Sequence, residues 1–142
     1  MKWYHGTTLH SAKIIVKGGV DTNIGGGELG RGFYVGSRAY VAFARAWHTA
    51  YKKDNTPQVV EFTIPKIQTL TLNYTEWNRK KALYKWRIMM KKGENRTKIF
   101  GYDIIKAPLL GGGYWGCMQL KFEGKIGQAI INNKILINRR LL

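Results

Sequence analysis

Three segments, far apart in the chain, carry side chains suited to holding a flat, polar ligand. The first is Tyr4-His5-Gly6-Thr7. A histidine there can donate to a sugar hydroxyl, and the glycine beside it lets a backbone N–H and C=O approach a planar amide closely. The second is Gly30-Arg31-Gly32-Phe33-Tyr34-Val35-Gly36-Ser37, followed by Tyr40 and Phe43. Its glycines admit tight turns, and Tyr34 and Tyr40 offer flat faces for stacking a ring. The third pairs Tyr102-Asp103-Ile104-Ile105 with Gly127-Gln128-Ala129-Ile130-Ile131-Asn132-Asn133, where Gln128 opens an otherwise apolar run. A polar side chain there points into a cleft or finds a buried partner. Taken singly, each segment has an ordinary structural explanation: a satisfied strand-end histidine, a turn before an aromatic core helix, a locally bonded amide. The glycine-rich text carries neither a Gly-Lys-Ser/Thr phosphate loop nor a dinucleotide fingerprint after a strand.

The spacing of apolar residues predicts the elements that hold these segments. Residues 2–5 read as a short strand. Residues 8–17 read as a helix capped by Thr7 or Thr8 and stopped at Gly18-Gly19. A glycine-rich loop over 20–30 leads to a short strand over 32–36. Positions 39, 42, 43, 46, 47 and 50 are apolar, which is helical spacing for 38–53, with Ser37 as its cap. Residues 58–64 alternate as a strand, and 76–92 form a basic helix. Strands are expected over 100–107, 119–122 and 128–131, the last two joined by the turn Glu123-Gly124-Lys125, and residues 134–137 extend a final strand or turn. This order predicts one α+β domain over 1–142, with mostly antiparallel sheet late in the chain and a basic helical insert near 74–98.

Charge narrows the partners. The 142 residues hold 24 Lys and Arg against 8 Asp and Glu, a net of +16. Residues 76–98 alone hold 9 basic and 2 acidic side chains. Such a field attracts polyanions, and RNA or DNA is the usual one. The plain alternative is a solvated basic face. With 44% apolar residues the chain can build a core, which argues against disorder. No apolar run reaches the ~18 residues of a membrane span. The single cysteine, Cys117, rules out an internal disulfide and a metal site built on several thiolates. Met1-Lys2-Trp3-Tyr4-His5 has no hydrophobic signal region, so export is expected to need a larger precursor or a carrier.

In their order, the three segments resemble the NAD-dependent ADP-ribosyltransferases of the diphtheria-toxin and poly(ADP-ribose)-polymerase-like branch. That branch carries His, then Tyr, then a third polar residue, usually Glu, at the start of a late strand. Tyr4-His5-Gly6-Thr7 looks like its first motif, and Gly30-x-Gly32-Phe33-Tyr34 with Ser37 and Tyr40 like its second. The pairing of residues 102–105 with Gln128 and Asn133 is similar to small bacterial members found as toxin tips and in mobile elements. The resemblance covers residues 3–50 and 100–138 and leaves out the basic insert. It implies a split antiparallel β-sheet core with flanking helices and a cleft between its halves, with NAD as substrate and no metal. His5 would hold the ribose on the adenine side. The Gly6 backbone would bind the nicotinamide carboxamide, with Thr7 supporting the strand or touching ribose. Tyr34 would stack on the nicotinamide ring, with Tyr40 or Phe33 completing the slot. His5, Tyr34 and Gln128 would be the catalytic set, Gln128 standing where the carboxylate normally lies. The reaction breaks the bond from nicotinamide to ribose through an oxocarbenium-like state, stabilised by positioning and electrostatics.

A glutamine is neutral, so it cannot oppose positive charge as a carboxylate does. Three readings stand: native use of Gln with an already activated acceptor; another acid, Glu28, Glu61 or Glu123, in the site; or an inactivated form. The resemblance implies a toxin or effector acting in the cytoplasm of a target cell, with an acidic immunity protein as a further partner. The charge makes RNA or a ribonucleoprotein the favoured target. Arg79, Lys80, Lys81, Lys85, Arg87 and Lys91 would track its phosphates, with Trp77, Tyr84 and Trp86 interleaved. The alternative enzyme is a basic, metal-independent ribonuclease drawing on His5, His10, His48 and Tyr34. A non-catalytic RNA-binding module would explain the charge and leave the first two segments without a role.

Overall fold

The computed structural model describes residues 1–112 and 116–142. Among these, the chain builds an α+β fold of a seven-stranded mixed sheet, a two-stranded ribbon and four helices. Strand β1 (Lys2–Thr8) runs into helix α1 (Leu9–Val16), whose start Thr8 caps by accepting from Ser11 N–H at 3.2 Å. The ribbon β2 (Gly26–Gly27) and β3 (Gly30–Arg31) precedes β4 (Phe33–Gly36) and helix α2 (Ala39–Lys52). Next come β5 (Pro57–Thr63), the short edge strand β6 (Tyr74–Glu76) and helix α3 (Arg79–Lys91). Asn78 caps α3 through Lys81 N–H at 2.9 Å, a contact worth about 1 kcal/mol. Strands β7 (Ile104–Pro108) and β8 (Met118–Phe122), helix α4 (Gly124–Asn132) and β9 (Asn138–Leu141) complete the chain.

The strand order is β6-β7-β8-β4-β1-β5-β9. Every neighbouring pair is antiparallel except β6 with β7, which makes the sheet mixed. Strand β1 pairs with β5 over its whole length, from Lys2↔Thr63 to Thr8↔Pro57. It meets β4 at one register pair alone, Tyr4↔Gly36. Gly36 in turn faces Gln119 on β8. Past that rung β1 and β4 part company.

One core gathers Trp3, Phe33, Val35, Phe62, Ile104, Leu120 and Phe122 with Ala12 and Ile15 of α1 and Ile131 of α4. A second puts Trp77 and Ala82 against Ile105, Ala107 and Leu29. The third is small: Ala42 and Ala46 of α2 on Val59, flanked by Tyr4. Its smallness has a cause. A Cβ on Gly6 would lie 1.9 Å from the Ala42 carbonyl oxygen, so α2 rests directly on the β1 backbone. Only alanine fits on the helix face turned inward, and Ala42, Ala46 and Ala50 occupy it.

The predicted hairpin at 119–131 does not form. Residues 124–132 are helix α4, and Gln128 lies on that helix instead of opening a strand. Tertiary contacts override the β-branched composition. The Asn132 side chain pairs with both backbone groups of Val20 at 2.9 Å, and a Cβ on Gly127 would be 2.6 Å from the Asp103 carbonyl oxygen. Ser37 does not cap α2 either; its hydroxyl accepts from Met118 N–H at 2.9 Å, joining β4 to β8.

Candidate active site

The parting of β1 from β4 opens a cavity of about 510 Å³. Its walls come from β1 (Tyr4, His5, Gly6, Thr7), the loop over 19–28, β4 (Phe33, Tyr34, Gly36), α2 (Arg45, Thr49, Lys53 at its end) and Gln119. His5, Gly6, Thr7, Phe33 and Tyr34 therefore share one space.

His5 is held across the seam. Its Nδ1 lies 2.6 Å from the Tyr34 carbonyl oxygen, and its ring stacks on Phe33 with centroids 4.3 Å apart. A carbonyl only accepts, so Nδ1 carries the proton and Nε2 keeps its lone pair. This reverses the expected direction of a bond to a sugar hydroxyl: a neutral His5 accepts at Nε2. Burial, with the Arg45 guanidinium adding to it, outweighs the Tyr34 hydrogen bond and pulls the imidazole down to about 4.

The consequence for pH has a definite sign. The folded-state value lies below the ordinary 6.5, so the unfolded chain takes up the proton first as pH falls. His5's contribution to stability is complete above about pH 6.5 and is lost between there and about 4, by at most ~3 kcal/mol. An NMR titration of the His5 ring should give a midpoint near 4; one near 6.5 would show that the ring is open to water.

Tyr34 is braced at its hydroxyl. It donates to the Gly30 carbonyl and accepts from Leu29 N–H at 3.0 Å, and a Cβ on Gly27 would touch its ring at 3.0 Å. Burial pushes its phenol far above the usual range. It acts as a fixed, neutral ring face.

Gln128 does not join the cavity. Its amide oxygen accepts from Thr22 N–H at 3.0 Å and lies 3.3 Å from the Thr22 hydroxyl. The polar residue that does reach the cavity is Gln119, at the start of β8. Its Nε2 donates to Glu28 Oε1 at 2.9 Å and to the Pro108 carbonyl at 3.3 Å. Both amide hydrogens are thereby held, which leaves the amide oxygen to accept. Sequence reasoning missed it because Gln119 was counted as an ordinary strand residue. The signal was present: a glutamine at the head of Gln-Leu-Lys-Phe, as polar as Gln128 and in a true strand.

Of the three acids, Glu28 lines the cavity. Its carboxylate accepts from Leu110 N–H and Gly111 N–H, each at 2.9 Å, besides Gln119. Glu61 on β5 is bound by Arg140 of β9 and Lys2 of β1, which hold its carboxyl below the usual range. Glu123 is buried against Lys121 and accepts from Phe100 and Gly101 N–H. Tyr40 stands outside the cavity wall, with its hydroxyl 3.3 Å from Cys117 Sγ.

The basic insert comprises β6, α3 and the turn after it. Lys80, Lys81, Arg87 and Lys91 are exposed. Arg79 donates to the Leu109 and Leu110 carbonyls at 3.2 and 3.4 Å, and the Lys85 ammonium sits 5.9 Å from the Trp77 ring centroid. Those two tie the helix down. Trp77 is buried; Tyr84 is exposed. His10 and His48 are exposed and line no part of the cavity, so His5 has no imidazole partner for acid–base work. Among the described residues no group of His, Cys, Asp and Glu could hold a metal ion, and no helix is long and apolar enough to cross a membrane.

No protein-family model matches the chain, and no curated protein does.

Proposed function

We propose that this chain is an NAD-dependent ADP-ribosyltransferase that modifies a nucleic-acid target, with RNA or a ribonucleoprotein favoured. One observation carries the reading. His5, Tyr34 and Gln119 come from β1, β4 and β8 to one cavity at the seam of the sheet, with Gln119 replacing the Gln128 of the resemblance as the third polar residue.

Each residue then has a task. Tyr34 offers its braced ring to the nicotinamide, and the Gly6 backbone serves the carboxamide. His5, backed by Phe33, accepts from a ribose hydroxyl at Nε2. Arg45, Lys53 and Arg96 at the cavity wall suit a diphosphate. Gln119 takes the third position in place of Gln128. Its amide oxygen accepts from a ribose hydroxyl, and Glu28 behind it polarises the amide toward the cavity. In the reaction the C1′–N bond breaks and its electron pair neutralises the nicotinamide ring. The acceptor atom bonds to C1′ and releases its proton. Positive charge on the sugar faces the negative end of the Gln119 dipole, with the Glu28 carboxylate one hydrogen bond further back.

Incubating the protein with labelled NAD and a cell lysate, then digesting with nuclease or protease, tests the reading. Label should enter the nuclease-sensitive fraction. His5→Ala and Gln119→Ala should each lower nicotinamide release roughly 5- to 150-fold while the fold is kept, as loss of a hydrogen bond in a desolvated site does. Unchanged release in both variants, with label absent from every fraction, would reject the transferase.

The exposed face of α3 is the phosphate-tracking surface in this reading. Changing Lys80, Lys81, Arg87 and Lys91 together to Gln should leave slow NAD hydrolysis intact and weaken target modification. The salt slope should fall by about 0.7–0.9 per lost phosphate contact. Equal modification and equal slope in parent and variant would reduce the helix to a basic surface.

A further inference from the structure

The inward alanines of α2 leave its large side chains outside. Phe43, Trp47 and Tyr51 are 43%, 65% and 88% exposed, at successive steps of four residues. They form one row covering roughly 12 Å of helix. Beside it, at three- and four-residue steps on the same solvent side, run Arg45, His48 and Lys52, all exposed. From Leu29 to Lys53 the chain has no Asp or Glu, while Arg31, Arg38, Arg45, Lys52 and Lys53 are basic. The basic row lies toward the cavity, which Arg45 and Lys53 line, and the aromatic row lies on the flank turned away.

Three bare rings on the same helix as a basic row make an exposed patch of mixed apolar and basic character. Nothing in the fold requires it, because the packing of α2 is done by Ala42, Ala46 and Ala50. An acidic double helix would use the cations and leave the rings idle, since its bases are stacked inside. An apolar protein groove would use the rings and strand the cations. A single-stranded nucleic acid uses both: phosphates meet the basic row and splayed bases stack on the rings.

We infer that α2 is a docking surface for single-stranded RNA or DNA, with bases stacked on Phe43, Trp47 and Tyr51 and phosphates along His48 and Lys52, while Arg45 stays with the cavity it lines. The rings sit about one helix diameter, ~10 Å, from the cavity, so stacked bases are held beside the site and not in it. This rests on the nucleic-acid half of the function proposed above and not on the transfer chemistry.

The test is binding of a fluorescein-labelled 12-nucleotide oligouridylate to the full chain, without NAD, across a salt series. Trp47→Ala with Tyr51→Ala should weaken binding by more than about tenfold and leave the salt slope unchanged, since base stacking is not a charge effect. Trp47→Phe should recover part of the loss. Lys52→Gln should lower the slope by about 0.7. Both aromatic side chains are exposed, so the double variant should melt with the parent. Equal affinity in parent and double variant overturns the inference. So does a poly-glutamate chain that binds as tightly as the oligonucleotide and loses as much in the double variant, because that outcome assigns the surface to an acidic protein. Nicotinamide release measured separately on the double variant should match the parent, so a failed docking surface and a failed transferase give different results.

Discussion

Gly6→Ala is expected to lower the melting temperature by ~10 °C or more and to abolish NAD binding with it. The added Cβ would meet the Ala42 carbonyl oxygen at 1.9 Å and the Ala46 nitrogen at 2.8 Å. Both are backbone atoms of a helix, so no rotamer change relieves the contact. Overpacking a rigid core costs about 1–3 kcal/mol and more where the backbone itself must move, which is the case here. At this chain length each kcal/mol is worth roughly 3–5 °C. Ala42→Gly should not rescue the variant, because it removes a methyl and leaves the carbonyl in place. A calorimetric scan of the single and double variants checks this. If Gly6→Ala melts with the parent, α2 does not rest on β1 as described. A variant that stays folded and loses only NAD binding would place Gly6 in ligand contact alone.

Glu123→Ala is expected to cost about 3–5 kcal/mol, the usual penalty for leaving one partner of a buried pair behind. Lys121 is completely buried, its ammonium on Glu123, on the Arg31 carbonyl at 3.1 Å and 5.2 Å from the Phe100 ring centroid. Burial pulls this lysine below its usual range, and Glu123 works against that pull. Glu123 also receives Phe100 N–H at 3.1 Å and Gly101 N–H at 2.6 Å, and Arg31 N–H reaches the Lys98 carbonyl at 2.9 Å. The pair thus binds residues 98–101 to the ribbon that carries Gly30, and Gly30 holds the Tyr34 hydroxyl. Glu123→Ala should therefore weaken NAD binding even well below its melting point. Lys121→Met combined with Glu123→Leu should recover part of the stability, since it removes the unpaired buried charge but leaves the Phe100 and Gly101 N–H groups without their acceptor. Denaturant melts of the parent, single and double variants decide. A single variant within 1 kcal/mol of the parent would deny the pair its structural part.

What could be read from the residues were features with local causes. Thr8 marks the start of α1, and the glycines around Phe33 and Tyr34 mark a tight approach, whereas the basic helix expected from residue 76 begins only at Arg79, after β6. That His5 and Tyr34 share a space is what the resemblance of their segments implies, and the basic character of α3 is read from its residues. What could not be read depended on distant contacts. Gln119 precedes Leu120 and Phe122 and Gln128 precedes Ile130 and Ile131, and only packing of Gly127 on Asp103 and of Asn132 on Val20 turns the second run into a helix. The periodicity of 38–53 was correct as a helix yet silent about depth. Positions 43 and 47 fit an inward stripe as well as 42, 46 and 50 do, until Gly6 brings the helix so close that only alanines fit.

That helix also bears on how copies of the protein behave toward one another. Bare rings on α2 would drive self-association in a neutral domain, but a net charge of +16 keeps copies apart. The repulsion reaches about 30 Å at 0.01 M salt and only about 3 Å at 1 M. A polyanion present in less than stoichiometric amount neutralises charge without covering every ring. With the docking proposed above, colloidal stability is expected to be lowest at intermediate ratios of nucleic acid to protein and to return when each helix has a strand of its own.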